Sequence, residues 1–373
     1  MNRMSQVTKQ GVQFGVSLLP HGAGEIEVAR AADAAGLDFA LFVDSQLLWP
    51  EVYTIMTAAV LQTRHLKIGP GVTNPVTRHP AVAASAMASI DELGGGNRTV
   101  FGVGRGDSAL RSMGLEVATN AALRQYVQTC RSLFRGETAR WGEPGEFKLH
   151  WSRPRDVPII MVASGPRTLE LAGEIADCVC MLVGCRPDLA RWALEHVRRG
   201  AERAGRSLAD LDIGLWVHFF ITDDPMQAHE EARGGVAAQL NLWKQAKGLQ
   251  IDELPADIAA QLRDRTANYN YRNHLSADAR HALDLPEAVV QAGAVAGSVD
   301  HCRQRLRELV DVGLDSVYLV LLSVREQEER LRVIRTFSDK ILPDFRQSTG
   351  VKELADESPR TASGSVSPAN RHA

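Results

Sequence analysis

The feature that most constrains this chain is a rhythm of short apolar runs, each followed by a helix-length stretch, repeated eight times between residues 12 and 346. The runs fall at 14–19, 39–43, 66–73, 98–103, 158–162, 178–183, 213–221 and 316–322. Helical stretches follow at 25–36, 51–63, 79–93, 108–113 with 120–135, 168–175, 187–204, 299–312 and 326–341. Strands that alternate with helices in this way build a parallel sheet through right-handed crossovers. The runs are apolar almost without interruption, as strands are when both faces are covered. Eight such units predict an α/β fold, a (β/α)8 TIM barrel. Two doubly wound halves split near residue 150 would need a linker there, and no strong one stands out. A mostly helical insertion, about 225–283, separates the seventh strand from its helix.

The barrel is expected to occupy residues 12–346. A flexible N-terminus, 1–11, precedes it, and residues 347–373 are too rich in Ser, Thr, Pro, Gly and charge to bury a core, so a disordered tail is expected. Lys plus Arg number 42 against 45 Asp plus Glu, which gives no reason to expect a nucleic-acid partner. No apolar run approaches the ~20 residues that span a bilayer. The five cysteines form no Cys-x-x-Cys pair, and no signal-peptide pattern is seen, so a reducing cytoplasm is expected. No His, Asp or Glu set has metal-ligand spacing, so no metal is expected.

Barrel chemistry sits on loops at the C-terminal ends of the strands. Those loops carry His21, Asp44-Ser45-Gln46, Thr73-Asn74 with Arg78-His79, Arg105-Gly106-Asp107-Ser108 and Ser164-Gly165-Pro166-Arg167. Each has a structural alternative. Asp44, His79 and Asp107 are catalytic candidates that could equally cap the helices they precede, and His21 could lie free in solvent. His218, which alternates with Trp216 and Phe220, points to the barrel mouth or its core. Ser164, Gly165 and Arg167 could cradle a phosphate at a helix N-terminus, or Ser164 could be an ordinary cap. The Gly102–Asp107 turn has G-x-G-x-G spacing, not the G-x-G-x-x-G of a dinucleotide fingerprint, and no acid follows near 122–128. The third run breaks itself at GPGVTNP (69–75), where two glycines and two prolines weaken a strand.

Two segments, LKIGPGVTNPVTRHPAVAASAMASIDELGGGNRTVFGVGRGDSA (66–109) and VPIIMVASGPRTLELAGEIADCV (157–179), make the chain resemble the bacterial luciferase-like superfamily. That superfamily comprises (β/α)8 flavin and deazaflavin oxidoreductases. The pattern is most similar to the methylenetetrahydromethanopterin reductase-like branch, which uses the deazaflavin coenzyme F420. The resemblance implies a bulge at the third strand, with a cis peptide matching Gly71–Val72, that backs the tricyclic ring. It implies cofactor contacts at Gly71, Val72, Thr73, Asn74, Arg105, Gly106 and Asp107. Ser164, Gly165 and Pro166 match the loop that grips the cofactor phosphate, beside Arg167. Asp44 matches an acid near the pyrimidine end of the ring, while Ser45 stands where sugar-phosphate dehydrogenases of the superfamily have His.

The implied reaction is hydride transfer between F420 and a small organic substrate with a C=N, C=C or C=O bond, with Asp107 or His79 as proton donor. The alternatives are an FMN-dependent monooxygenase that uses O2 and reduced flavin from a partner reductase, and a flavin-binding barrel without catalysis. Trp243, Tyr269, Asn270 and Tyr271 of the insertion suit a planar substrate or simple packing. A homodimer is the common assembly of such enzymes.

Overall fold

The computed structural model describes residues 11–142, 145–246, 249, 254–264, 269–321, 324 and 326–346. The expected tail from 347 and the first ten residues lie outside them. In chain order the strands are β1 (Gln13–Leu18), β2 (Phe39–Phe42), β3 (Lys67–Pro70), β4 (Phe101–Val103), β5 (Ala139–Arg140), β6 (Glu146–Phe147), β7 (Ile159–Ala163), β8 (Cys178–Met181), β9 (Asp212–Ile221), β10 (Ala294–Gly297) and β11 (Ser316–Val320). Eight of them run in the order β3-β2-β1-β11-β9-β8-β7-β4, every neighbouring pair parallel. Isolated parallel bridges Ile68–Thr99 and Thr73–Val103 join β3 to the β4 segment and close the barrel.

Inward-facing side chains fill the barrel. Phe39, Leu41, Ile160, Cys178, Cys180, Trp216, Tyr318 and Val320 form one buried cluster, while the outward faces meet the surrounding helices in a second and larger one. Tyr318 is fully buried, and its ring needs room. A Cβ at Gly15 would sit 3.0 Å from Tyr318 Cδ1, and one at Gly214 would sit 2.9 Å from its Cε2. Two small residues therefore admit one large one, the alternation that fills a narrow barrel. Burying a side chain of this size contributes about 1.5–3 kcal/mol.

The Ala-Ser-Ile-Asp-Glu-Leu motif serves as scaffold. Asp91 Oδ1 accepts from the Arg98 backbone N–H at 2.9 Å and the Thr99 hydroxyl at 3.1 Å, and its Oδ2 pairs with Arg155 at 2.7 Å. Arg98 in turn donates to the Leu66 carbonyl and to Thr63 Oγ1. The turn into β4 is thereby tied to the start of β3.

One local expectation needs correction, and two further features come to light. The third strand does not run on to residue 73: Gly71 N–H still donates to Phe42 O of β2, but Thr73 N–H donates to Gly102 O of β4. The chain changes partners across a cis Gly71–Val72 peptide. The loop 141–156 contains part of the antiparallel β5–β6 ribbon. The insertion, with helices Pro225–Lys244, Ala256–Asp264 and Arg280–Leu283, is followed by a helix Glu287–Gly293 and by β10. β10 pairs with the C-terminal half of β9, from Ala294 opposite His218 to Gly297 opposite Ile221. Among the described residues, no helix is long and apolar enough to cross a membrane.

Candidate active site

A cavity of about 460 Å³ opens at the C-terminal mouth of the barrel. Its walls come from the loops after β2, β3, β4, β7 and β8, from β7 and β9 themselves and from the insertion. In the strand order above, β3 and β9 stand opposite each other, so the Gly71–Val72 bulge faces Trp216 and His218 across the opening. The bulge side is poor in side chains. Gly71, Val72, Gly104, Val162 and Ala163 line it, and a Cβ on Gly104 would press on Val72 Cγ2 at 2.9 Å. Such a wall is flat enough for a planar ring to lie against.

At one end of the cavity stand Ser164, Gly165, Arg167 and Thr168, around the N-terminus of the ten-residue helix Pro166–Ile175. Gly165 is the N-cap and lacks a capping side chain. First-turn N–H groups, two hydroxyls and a guanidinium make this a natural place for an anion. Asn120 fastens it: its Nδ2 donates to Arg167 O at 3.0 Å, and its Oδ1 accepts from Thr168 Oγ1 at 3.2 Å.

Asp44 is buried and lines the cavity. It caps no helix, since Glu51 holds the N-terminus of the helix Val52–Gln62. Burial raises its pKa, opposed by the nearby Thr73 hydroxyl, by Arg78 and by Gln46. Ser45 beside it hydrogen-bonds Ser108, Oγ to Oγ, at 2.8 Å. Asp107 precedes the short helix Ser108–Ser112 yet gives that helix no side-chain cap. Its Oδ1 accepts from Tyr271 Oη at 2.7 Å. Burial raises its pKa, while the Tyr271 hydrogen bond and Arg111 oppose the rise. Gly106 takes φ +78°, which suits glycine, and a Cβ there would meet Leu110 Cδ1 at 2.7 Å. Arg105 donates to Ala118 O at 2.6 Å, folding the loop beyond it back on the cavity rim.

Four predicted site residues stay out of the cavity. His79 is exposed, and its Nδ1 accepts from Ala81 N–H at 3.2 Å as the cap of the helix Pro80–Leu93. Thr73 is buried behind the wall, its backbone paired to both Gly102 and Gly104. Asn74 is buried too, with Oδ1 accepting from Val76 and Thr77 N–H in a turn. Pro166 is the buried first residue of its helix. His21 is exposed and lies outside the cavity lining. Arg78 pairs with Glu51 at 2.8 Å and lies over the Tyr53 ring.

The insertion supplies what the sequence left open. Trp243 is buried in the core away from the cavity, and Asn270 caps the one-turn 3-10 helix Tyr271–Asn273. Tyr269 Oη meets His274 Nδ1 at 2.7 Å. His274 and His218 both line the cavity, and burial pushes them down to about 3 and about 4. Both imidazoles are therefore neutral near pH 7. His274, Gln239 and Gln245 were not singled out from sequence; the spacing of Asn241 and Gln245, four apart on one helix face, was the available signal.

Fold and cavity together define a (β/α)8 barrel of enzyme type, open at the C-terminal ends of its strands. The chain belongs to the luciferase-like monooxygenase family, whose sequence profile matches residues 5–316. It is 26% identical over 361 residues to a 5,10-methylenetetrahydromethanopterin reductase of Methanopyrus kandleri, covering 90% of this chain and 99% of that one. It is 30% identical over 286 residues to an F420-dependent glucose-6-phosphate dehydrogenase of Nakamurella multipartita, covering 68% and 83%. The solved structure of the coenzyme F420-dependent tetrahydromethanopterin reductase from Methanopyrus kandleri superposes with a TM-score of 0.72 at 25% identity, covering 90% of this chain and 99% of that one. A monooxygenase from Streptomyces bottropensis shares the fold, with a TM-score of 0.65 at 21% identity over 89% and 99%.

Proposed function

We propose that this protein is an oxidoreductase that transfers a hydride between coenzyme F420 and a small organic substrate bearing a C=N, C=C or C=O bond. One observation carries the reading. A single cavity holds a flat wall at Val72 and Gly104, an anion locus at Ser164–Thr168 and a carboxyl of raised pKa at Asp107. The relatives named for F420 support this choice of cofactor.

The residues present fit a phosphate-bearing deazaflavin. Ser164, Gly165, Arg167 and Thr168 would hold its phosphate, and Gly71, Val72 and Gly104 would back its ring. When bound, the deazaflavin supplies or accepts the hydride. The chain's own residues do the rest. Trp216, His218, His274 and Leu275 wall the side opposite the bulge and present neutral imidazoles to the substrate. From the insertion, Gln239, Leu242, Gln245 and His274 line the mouth. Asp107, whose pKa burial raises, would carry the proton for the substrate atom that gains charge. Ser45 cannot act as a base in the way a His could, which weighs against alcohol oxidation by that route.

A homodimer and a cytoplasmic setting belong to the same reading; the five cysteines are free and buried, which suits reducing conditions. The test is titration of the purified protein with F420 and with FMN, followed by fluorescence and by mass spectrometry of retained cofactor. F420 is expected to bind. Tight FMN binding without affinity for F420 would overturn the reading in favour of a monooxygenase fed by a flavin reductase.

A further inference from the structure

Tyr271 meets three partners through one oxygen. Asn241 Nδ2 donates to its Oη at 3.0 Å and Gln245 Nε2 at 2.9 Å, and Oη donates to Asp107 Oδ1 at 2.7 Å. A phenol oxygen has two lone pairs and one proton. The two amides occupy the lone pairs, so the proton has one direction left, toward Asp107. Asn241 and Gln245 lie at the C-terminal end of the helix Pro225–Lys244. The ring itself is fixed by stacking on His274, with centroids 6.1 Å apart, and by an edge contact with Tyr269 at 5.1 Å.

We propose that Tyr271 is a positioning residue for Asp107: the insertion, through a hydroxyl oriented by Asn241 and Gln245, holds Oδ1 as an acceptor and reserves Oδ2 for the transferable proton. The roof of the cavity thereby sets how readily the acid holds its proton. The role in turnover rests on the reading of Asp107 as the proton donor, but the hydrogen bond and its effect do not require a cofactor.

The other charged or titratable groups around the cavity are Arg105 on the β4 loop, Arg111 on the following helix, Glu116 beyond that helix, His274 in the roof, and Asp44, Arg167 and His218 elsewhere in the wall. Tyr271 is the group that hydrogen-bonds the carboxyl directly. A donor to a carboxylate favours its charged form. Removing the hydroxyl therefore moves the Asp107 titration to higher pH.

The experiment is a carbon-13 NMR titration of aspartate carboxyls in the cofactor-free protein, with the Asp107 signal assigned by its loss in Asp107→Asn. Tyr271→Phe keeps the ring and is expected to shift the Asp107 midpoint upward. Should that variant fail to fold, Asn241→Leu/Gln245→Leu keeps the phenol but frees its proton, and is expected to shift the midpoint upward by less. A midpoint that stays in place or moves down in the folded variant overturns the proposal. Failure of F420 to bind would overturn the functional reading and leave this titration intact.

Discussion

Ser45 Oγ and Ser108 Oγ lie 2.8 Å apart in a buried contact between the loop after β2 and the loop after β4. Each serine directly follows a cavity carboxyl, Asp44 or Asp107. The contact therefore fixes the spacing of the acids through the backbone. Ser45→Ala leaves the Ser108 hydroxyl buried without this partner and is expected to cost about 1 kcal/mol. Ser45→Ala/Ser108→Ala should cost less than the sum of the single changes, because both remove one shared interaction. Urea unfolding of the three variants measures this, and strictly additive losses would show that the hydroxyls are not coupled.

Asp107→Asn keeps the shape of the side chain and removes the acid. Turnover is expected to fall by roughly 10²–10⁴, the usual worth of a general acid, while affinity for F420 changes little. The sign with pH follows from the proton's role. Burial raises the Asp107 pKa, the acid acts while protonated, and kcat/KM falls as pH rises through that pKa. The limb should vanish in the Asn variant. Its survival would assign the proton to another group.

Gly235 lies in the helix Pro225–Lys244 directly over His218. Alanine is the better helix former there by about 1 kcal/mol, but a Cβ at this position would sit 2.3 Å from His218 Nδ1. His218 is buried and could yield only by turning into the cavity that it lines. Overpacking of this kind costs about 1–3 kcal/mol, so Gly235→Ala is expected to destabilise on balance and to disturb the cavity wall opposite the bulge. Thermal unfolding with and without F420 gives both effects. An unchanged or raised Tm would show that the histidine can move.

The barrel was legible because eight strand–helix units impose their period on the sequence, and the β7 and β4 loops announced themselves by glycine. Asp44 and Asp107 were placed at the mouth by position alone: each lies on the loop that follows a strand. Residues whose role depends on a partner far along the chain were harder to read. His79 looked like an acid beside a cofactor, but Pro80 starts a helix whose first-turn N–H groups take the imidazole instead. Thr73 and Asn74 follow the bulge in sequence, yet the switch from β2 to β4 carries them behind the wall. β10 is four small residues, too short to carry a period. Tyr271 is separated from Asp107 by 164 residues, and only the folded insertion brings them together.

Glu25 is buried and pairs with Arg330 at 2.8 Å, outside the cavity lining. Burial pushes its carboxyl up to about 7, with Arg330 opposing. The native state then holds the proton more tightly than the unfolded state, so stability falls as pH rises from about 4.5 to about 7 and levels off above. Glu25→Gln should flatten that slope. Arg330→Met leaves the carboxyl without its cation, raises its pKa further and is expected to extend the fall in stability past pH 7. Denaturation midpoints across this pH window and above it check both, and equal slopes in wild type and Glu25→Gln would assign the pH dependence elsewhere.

Arg167 is exposed at the rim of the anion locus, so its contribution should be modest and sensitive to salt. A charge-assisted bond to phosphate is worth about 1.5–3 kcal/mol when shielded, and exposure reduces that. Arg167→Ala is expected to weaken F420 binding by roughly tenfold, or about 1.4 kcal/mol. A deazaflavin without the phosphate tail separates charge from packing: its affinity should be the same for wild type and variant. Raising ionic strength shortens the screening length from about 10 Å at 0.1 M to about 3 Å at 1 M, so the two proteins should converge on F420 in high salt. An equal loss for both ligands, independent of salt, would mean that Arg167 shapes the loop and does not meet the phosphate.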